Sequence, residues 1–296
     1  MTADDQRWLA ERFEANRAHL RGVAYRMLGS LNEADDAVQE AWIRLSRTDT
    51  TRVDNLQAWL TTVVGRVCLN MLRSRKTRHE ESLEMHLPDL VLSPQEGVDP
   101  EQEALLGDSV GLAMLVVLDS LTPAERVAFV LHDVFALPFD DIAHIINRTP
   151  TATRQLASRA RRRVQGAPVP DVDLDGQWAV VDAFLAASRA GDFGRLLAVL
   201  DPEVVLRSDG GMARPALTLR IRGAQAVAER AMSYRQLAET STRILVNGIP
   251  GGIVWAPDGS LYAVMAITVR RGRIVGLDFL TDPDRLGRLD LTVVAG

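Results

Sequence analysis

The sequence predicts a multidomain chain: two all-α modules, the second ending in a helix-turn-helix, followed by an α+β domain with a curved sheet. Three observations carry this. Helical periodicity runs over residues 6–78 and returns over 109–166. Residues 79–108 between them hold Pro88, Pro94 and Pro100, many acids and little periodicity, which reads as a linker. Beyond Gly166-Ala-Pro-Val-Pro-Asp171 the texture changes to helices and then a run of strand-like segments, so 171–296 reads as a third domain.

In the first module Phe13, Leu20, Val23, Ala24, Met27 and Leu28 keep a helical spacing. Ser30-Leu-Asn-Glu-Ala-Asp-Asp36 reads as a turn and helix start, with Asn32 as a cap and acids in the first turn. That helix runs on to Leu45. Thr48–Val53 is polar and loop-like, and a third helix spans Leu56 to about Arg75, basic at its end.

The second module resumes at about Ser109–Leu121. Thr122-Pro-Ala-Glu125 has the form of a capping box with proline at the first helical position, so a helix follows over Arg126–Phe135. Phe139–Ile146 is a short amphipathic helix. After the break at Asn147-Arg-Thr149, Thr149 caps a last helix running to Val164. Leu156, Ala160 and Val164 form its apolar stripe, and it carries five arginines between Arg154 and Arg163 and no acid. Two helices joined by a tight turn, the second basic, is the helix-turn-helix pattern. The plainer reading is a solvated basic helix end. The clean separation of apolar from basic and polar positions favours DNA.

In the third domain Trp178–Ala190 and Phe193–Leu200 read as helices. Strands are expected at Val204–Ser208, Leu217–Ile221, Ile244–Val246, Ile253–Trp255, Leu261–Val269 and Ile274–Leu280, with glycine turns at Asp258-Gly259 and Arg271-Gly272.

The net charge of −5 is unevenly spread. Residues 1–78 carry a net +3 and residues 118–166 a net +2, while 79–117 hold nine acids and no base. Two mildly basic modules thus flank an acidic connector. The single cysteine, Cys68, excludes an intramolecular disulfide and a cysteine zinc cluster, and its apolar-periodic surroundings mark a buried thiol rather than a nucleophile. No run of about 18 apolar residues predicts a membrane span and no signal peptide is read at the start, so the cytoplasm is expected, with no membrane partner.

Two further constellations stand out. Asp35, Asp36, Gln39, Glu40 and Trp42 join acids to an aromatic on one helix. Alone, that is the pattern of an ordinary amphipathic helix. Trp59, Arg66, Asn70, Arg73 and Arg75 share the next helix, where an aromatic for base stacking lies among arginines for the backbone. Here too a core tryptophan and a solvated basic end remain open.

The order of these parts resembles the extracytoplasmic-function (ECF) sigma factors of bacterial RNA polymerase. It runs from Glu33-Ala-Asp-Asp-Ala-Val-Gln-Glu-Ala-Trp-Ile-Arg-Leu45 to the Gln57–Arg75 helix, an acidic linker, Leu121-Thr-Pro-Ala-Glu-Arg126 and a basic helix-turn-helix. The resemblance covers residues from about 10 to 165. It implies two helical DNA-binding domains and two partners, core RNA polymerase and promoter DNA. By position it implies that Asp35, Asp36, Gln39, Glu40 and Trp42 dock on the beta-prime clamp helices. Trp59, Arg66, Asn70, Arg73 and Arg75 would melt and read the minus-ten element. Thr151, Arg154, Gln155, Ser158, Arg159 and Arg162 would read the minus-thirty-five element.

The remaining residues resemble the cone-shaped SnoaL-like domain of the NTF2-like superfamily, which a subgroup of these sigma factors carries at the C-terminus. The subgroup's Asp-Gly-Gly-Gly-Lys motif stands here as Asp209-Gly210-Gly211-Met-Ala213 and its Asn-Pro-Asp-Lys-Leu motif as Asp282-Pro283-Asp284-Arg285-Leu286. Its Trp-Leu-Pro-Glu-Pro linker motif survives only as His86-Leu-Pro-Asp-Leu90. The resemblance implies regulation in cis, with the extension packing against the linker or the DNA-binding modules.

No catalytic residue, metal or cofactor is expected. All five histidines (His19, His79, His86, His132, His144) precede the extension, which leaves only Asp209 with Tyr234 or Tyr262 as an acid–base option. An unidentified small apolar ligand in the cone is the better expectation. The competing reading is a helix-turn-helix regulator with a ligand-binding C-terminal domain, acting without polymerase; it leaves the Asp36 and Trp59 helices unused.

Overall fold

The computed structural model describes residues 3–48, 55–77, 86–94, 112–165 and 170–292. Most of the expected acidic linker, part of the loop expected at Thr48–Val53 and residues 166–169 lie outside them. Two compact units divide the chain: residues 1–81, 100–107 and 117–166 form one, and residues 82–99, 108–116 and 167–296 the other. No helix of the described residues is long and apolar enough to cross a membrane.

The elements among the described residues of the first unit are helices: α1 (Ala3–Leu28), α2 (Leu31–Leu45) and α3 (Leu56–Thr77), then, beyond the connector, the C-terminal end of α4 (Leu112–Asp119), α5 (Pro123–Phe129), α6 (Phe139–Ile146) and α7 (Pro150–Val164). Ser30, extended at φ −126°, is the N-cap of α2 and makes no side-chain cap bond. Asn32 is therefore not the cap expected from sequence; it lies inside the first turn. The Thr122–Glu125 capping box at the start of α5 is formed in both directions. After Phe129 the helix widens into a π turn over Val130–Val134, which sequence reading took as plain α-helix.

In α7 the Thr149 hydroxyl accepts from the Ala152 N–H at 3.2 Å, and Pro150 occupies the first turn. The buried stripe is Thr153, Ala157, Ala160 and Val164. Leu156, placed on the stripe from sequence, is only half-buried. Thr153 occupies the core position because its hydroxyl donates to the Thr149 carbonyl at 2.9 Å, which removes the cost of burying it. Helix α3 meets the second group of helices at Gly65, where an added Cβ would lie 3.1 Å from Leu131 Cδ1 and 3.5 Å from Ile145 Cδ1.

The second unit is α+β. Helices α8 (Leu174–Ala190), α9 (Phe193–Val199), α10 (Ala224–Ser233) and the short α11 (Arg235–Ala238) accompany a seven-stranded sheet of β1 (Leu92–Ser93), β2 (Leu200–Asp209), β3 (Leu219–Arg222), β4 (Ser241–Val246), β5 (Ile249–Trp255), β6 (Leu261–Arg270) and β7 (Arg273–Leu280), with α12 (Pro283–Leu286) last. The order is β1-β4-β5-β6-β7-β2-β3; only the β2–β7 pair is parallel. One core lies between sheet and helices, around Val181, Leu196, Val227, Ile267 and Leu277. Another holds Leu90, Leu92, Leu112, Ile244, Ile253 and Val264.

Two features depart from the sequence reading. Part of the segment read as linker is sheet: Leu92 and Ser93 pair with Val246 and Leu245. Leu87, Leu90, Val91 and Leu92 are each under a tenth exposed, so apolar burial overrides the prolines and acids around them. Helix α10 lies where no element was expected. Its Ala224-Gln-Ala-Val-Ala-Glu-Arg-Ala231 run is rich in strong helix formers, a propensity signal with little apolar periodicity behind it.

Candidate nucleic-acid surfaces and linker clamp

Helix geometry sorts the residues singled out from sequence. On α7, Thr151, Arg154, Gln155, Ser158, Arg159 and Arg162 are all exposed. At roughly 100° per residue they share one arc opposite the buried stripe. The five arginines divide. Arg161 pairs with Asp133 at 2.5 Å and Arg163 with Glu125 at 3.3 Å, while Arg159 reaches Glu125 only at 3.8 Å. Arg154 lies 5.5 Å from the centre of the Phe139 ring, and neither it nor Arg162 pairs with a carboxylate of the described residues. Burial pushes the Glu125 carboxyl up, but hydrogen bonds from Thr122 and the charges of Arg163 and Arg159 outweigh it and hold the group below the usual range. Arg161 and Arg163 thus brace the fold, and Arg154 and Arg162 stay available to phosphates or base edges.

On α3, Arg66, Asn70 and Arg73 are exposed and Trp59 is half-buried. All four fall within roughly 40° of one line along the helix. Arg75 is a correction to the expected set. It lies roughly 160° round from Trp59, pairs with Glu33, and donates to the Leu28 carbonyl at 3.0 Å. It ties α3 to the junction of α1 and α2 and does not share the face of the others.

On α2, Asp35, Asp36 and Gln39 are exposed; Glu40 and Trp42 are partly covered. Asp35 accepts from Arg21 of α1 at 2.7 Å and Glu40 from Arg44 at 2.9 Å. Trp42 packs on Phe13, ring centres 5.1 Å apart. The acids and the tryptophan therefore form one surface, held from behind by α1.

The motifs of the second unit converge on the segment His86–Asp89. Asp209, its side chain 3% exposed, accepts from the Leu87 N–H at 2.9 Å and pairs with Arg285 at 2.6 Å. The Arg285 guanidinium also donates to the Leu87 carbonyl at 2.7 Å and to Asp89 at 3.2 Å. His86 Nδ1 lies 3.3 Å from the Asp209 carboxylate. The clamp is itself braced: the Thr281 and Asp282 amides donate to the Asp209 carbonyl at 2.7 and 3.1 Å. Asp282 caps α12 by accepting from the Asp284 N–H at 2.9 Å, and Pro283 occupies the first turn.

Both glycines of the motif are required. A Cβ on Gly210 would overlap the Arg214 carbonyl, and one on Gly211, at φ +56°, would overlap the Asp282 carboxylate. Further along the segment, Asn247 holds the backbone of Val91, donating to its carbonyl at 2.8 Å and accepting its N–H at 3.3 Å. Sequence reading missed Asn247. The Asn247-Gly248 pair between β4 and β5 is a hairpin-turn signal that could have found the residue, though not its second task.

A cavity of about 800 Å³, open mouth included, lies between the helices and the sheet of this unit, lined among others by Phe184, Leu206, Met265, Leu277, Tyr234 and Tyr262. Asp209 does not line it. The acid–tyrosine pair weighed from sequence is therefore not assembled, because the Asp209 carboxylate is turned to Arg285 and Leu87.

Residues 12–78 match the Sigma-70 region 2 family, and residues 112–164 match Sigma-70, region 4. The ECF RNA polymerase sigma factor SigJ of Mycobacterium tuberculosis is 37% identical over 289 residues, covering 92% of this chain and 91% of that protein. A probable ECF RNA polymerase sigma factor of the same organism, SigI, is 35% identical over 283 residues, covering 94% of each. The crystal structure of M. tuberculosis SigJ superposes with a TM-score of 0.78 at 33% identity, covering 96% of this chain and all (100%) of that one. With two helical modules that match Sigma-70 regions 2 and 4, the second a helix-turn-helix, and a C-terminal α+β domain, this chain belongs to the extracytoplasmic-function sigma factors, which join core RNA polymerase and direct it to promoter DNA.

Proposed function

We propose that three exposed helix faces divide the work of initiation and that the C-terminal domain regulates them in cis. The acidic-aromatic face of α2 (Asp35, Asp36, Gln39, Glu40, Trp42) docks on the beta-prime clamp helices. The face of α3 (Trp59, Arg66, Asn70, Arg73) takes the melted minus-ten strand, with the tryptophan for stacking and the arginines for the backbone. Helix α7 enters the major groove at the minus-thirty-five element, where Arg154 and Gln155 donate to base edges and Arg162 to phosphate. The chain works in the cytoplasm, alongside the polymerase.

The observation that supports regulation in cis is the Asp209–Arg285 clamp on Leu87. The connector between the two helical modules must pass through this segment, so a domain that holds its backbone constrains the separation the modules adopt on a promoter. The cavity above the clamp holds a small ligand. Run-off transcription with purified core polymerase tests the reading, using the full chain, an Asp209→Ala variant and a 1–170 truncation at equal concentration. Altered output from both variants supports it. Equal output from all three overturns regulation in cis, and no polymerase-dependent initiation by any of them overturns the assignment of the helix faces.

A further inference from the structure

We propose that the cavity of the C-terminal domain binds an apolar monocarboxylic acid and that the linker clamp beside it reads the occupancy. The first half stands on the cavity alone; the second rests on the regulatory reading above.

The cavity wall is hydrocarbon and aromatic ring over nearly all its extent, from Phe184, Leu206, Val254, Met265, Leu277 and Phe279. It contains one formal charge. Arg230 of α10 lines it, its guanidinium 4.5 Å from the centre of the Tyr234 ring, and no carboxylate of the described residues pairs with it. No acid, lysine or histidine lines the cavity. A half-covered cation without a counter-ion beside an apolar chamber selects a ligand with one anionic end. Ser208, Tyr234 and Tyr262 also line the cavity, and no hydrogen bond to another described residue engages their hydroxyls, which leaves those groups free to donate to that end. A ligand with many polar groups, such as a sugar or a nucleotide, would strand them against hydrocarbon.

The same walls reach the clamp. Ser208 and Thr281 line the cavity, and the residues that follow them in the chain are Asp209 and Asp282. The Thr281 hydroxyl donates to the Asp209 carbonyl at 3.1 Å. Arg214 donates to the carbonyls of Tyr262 and Thr281 at 3.2 and 3.0 Å, with its guanidinium 5.2 Å from the centre of the Tyr262 ring. A ligand pressed against Tyr262 and Thr281 therefore touches the residues that hold Asp209 under Leu87.

Calorimetric titration of the full chain with decanoate and, separately, with 1-decanol tests the site. Decanoate is expected to saturate one site per chain and to bind at least about tenfold more tightly than the alcohol. Arg230→Gln should remove that preference and Arg230→Lys should keep most of it. Absence of saturable decanoate binding, equal affinity for acid and alcohol, or an unchanged preference in Arg230→Gln overturns the site. The acid–alcohol comparison on the natural chain decides it even where a variant folds poorly.

Amide hydrogen exchange over residues 86–93, with and without saturating decanoate, tests the coupling. A change of about threefold or more supports it; unchanged exchange in the ligand-bound chain overturns it. Neither readout uses polymerase, so their failure is distinct from failure of the transcriptional reading. Altered exchange combined with decanoate-insensitive run-off transcription would uphold the site and overturn regulation through it.

Discussion

The Arg285 guanidinium lies 2.6 Å from the buried carboxylate of Asp209, and both reach the same residue: Asp209 accepts the Leu87 N–H and Arg285 donates to the Leu87 carbonyl. At Leu87 the pair grips main chain, with the Asp89 carboxylate a further contact of Arg285 at 3.2 Å, so the Leu87 hold tolerates divergence of side chains in the segment. That is the physical reason the His86-Leu-Pro-Asp-Leu90 segment is still clamped although its side chains depart from the subgroup's motif.

Removing one half of the pair is expected to cost more than removing both. Arg285→Met leaves the Asp209 carboxylate, 3% exposed, without its counter-charge, and breaking a buried pair in this way costs roughly 3–5 kcal/mol. Adding Asp209→Ala to it should recover part of that loss. Thermal unfolding of the single and double variants measures both, and a double variant less stable than Arg285→Met would contradict the assignment.

Gly211 and Gly248 separate two roles of glycine. Both have positive φ, +56° and +77°, but only at Gly211 would a Cβ strike a neighbour, the Asp282 carboxylate; at Gly248 nothing lies within 4 Å. Gly248→Ala should cost about 1–2 kcal/mol, the left-handed penalty alone. Gly211→Ala adds overpacking and should cost roughly 2–5 kcal/mol. Denaturant titration of the two variants checks the order.

Local rules made much of this fold legible. The Thr122 capping box, Thr149 with Pro150, and the two apolar strand segments over 261–280 parted by the Arg271-Gly272 turn each follow from a few adjacent residues. What escaped depends on contacts distant in sequence. The strand at Leu92–Ser93 forms because Val246 and Asn247 supply its partners more than 150 residues away. The candidate faces were legible where helical spacing alone decides them, as at Arg66, Asn70 and Arg73. Arg75 was misplaced because composition groups it with those arginines, while helix geometry and Glu33 turn it away. The Asp209 motif was visible as residues, but its task was not, since nothing in Asp209-Gly-Gly211 says what the carboxylate faces.

The arginines of α7 should divide in function as they do in pairing. Arg154→Ala is expected to lower discrimination at one base position by about 1–3 kcal/mol if it contacts a base edge, and Arg162→Ala to weaken all promoters alike while lowering the salt dependence of binding. Arg161→Ala, which loses its partly exposed pair with Asp133, should leave promoter choice unchanged and shift stability by less than about 1 kcal/mol. Binding of the holoenzyme to a set of single-base promoter variants distinguishes the three. Loss of discrimination from Arg161→Ala would reverse the division.

Cys68 gives the helical unit an alkaline limit. Its thiol is fully buried, and burial pushes its pKa from 9.0 up to about 12, against smaller downward pulls from Arg126 and a backbone hydrogen bond. The folded chain thus keeps this proton at pH values where the unfolded chain releases it. The sign follows: the contribution is fully present below about pH 8.5 and is lost as pH rises toward 12, at up to about 1.4 kcal/mol per pH unit. Cys68→Ala removes that dependence. The difference in unfolding free energy between natural chain and variant should therefore shrink between pH 9 and pH 10, by roughly 1 kcal/mol. Denaturant unfolding of both proteins at matched pH measures it, since the other titrating groups cancel in the difference. A constant difference across that window would show that the thiol ionises in the folded chain as readily as in the unfolded one. Iodoacetamide supplies an independent check, because a thiol held neutral and covered should resist alkylation at pH 8 until the unit unfolds.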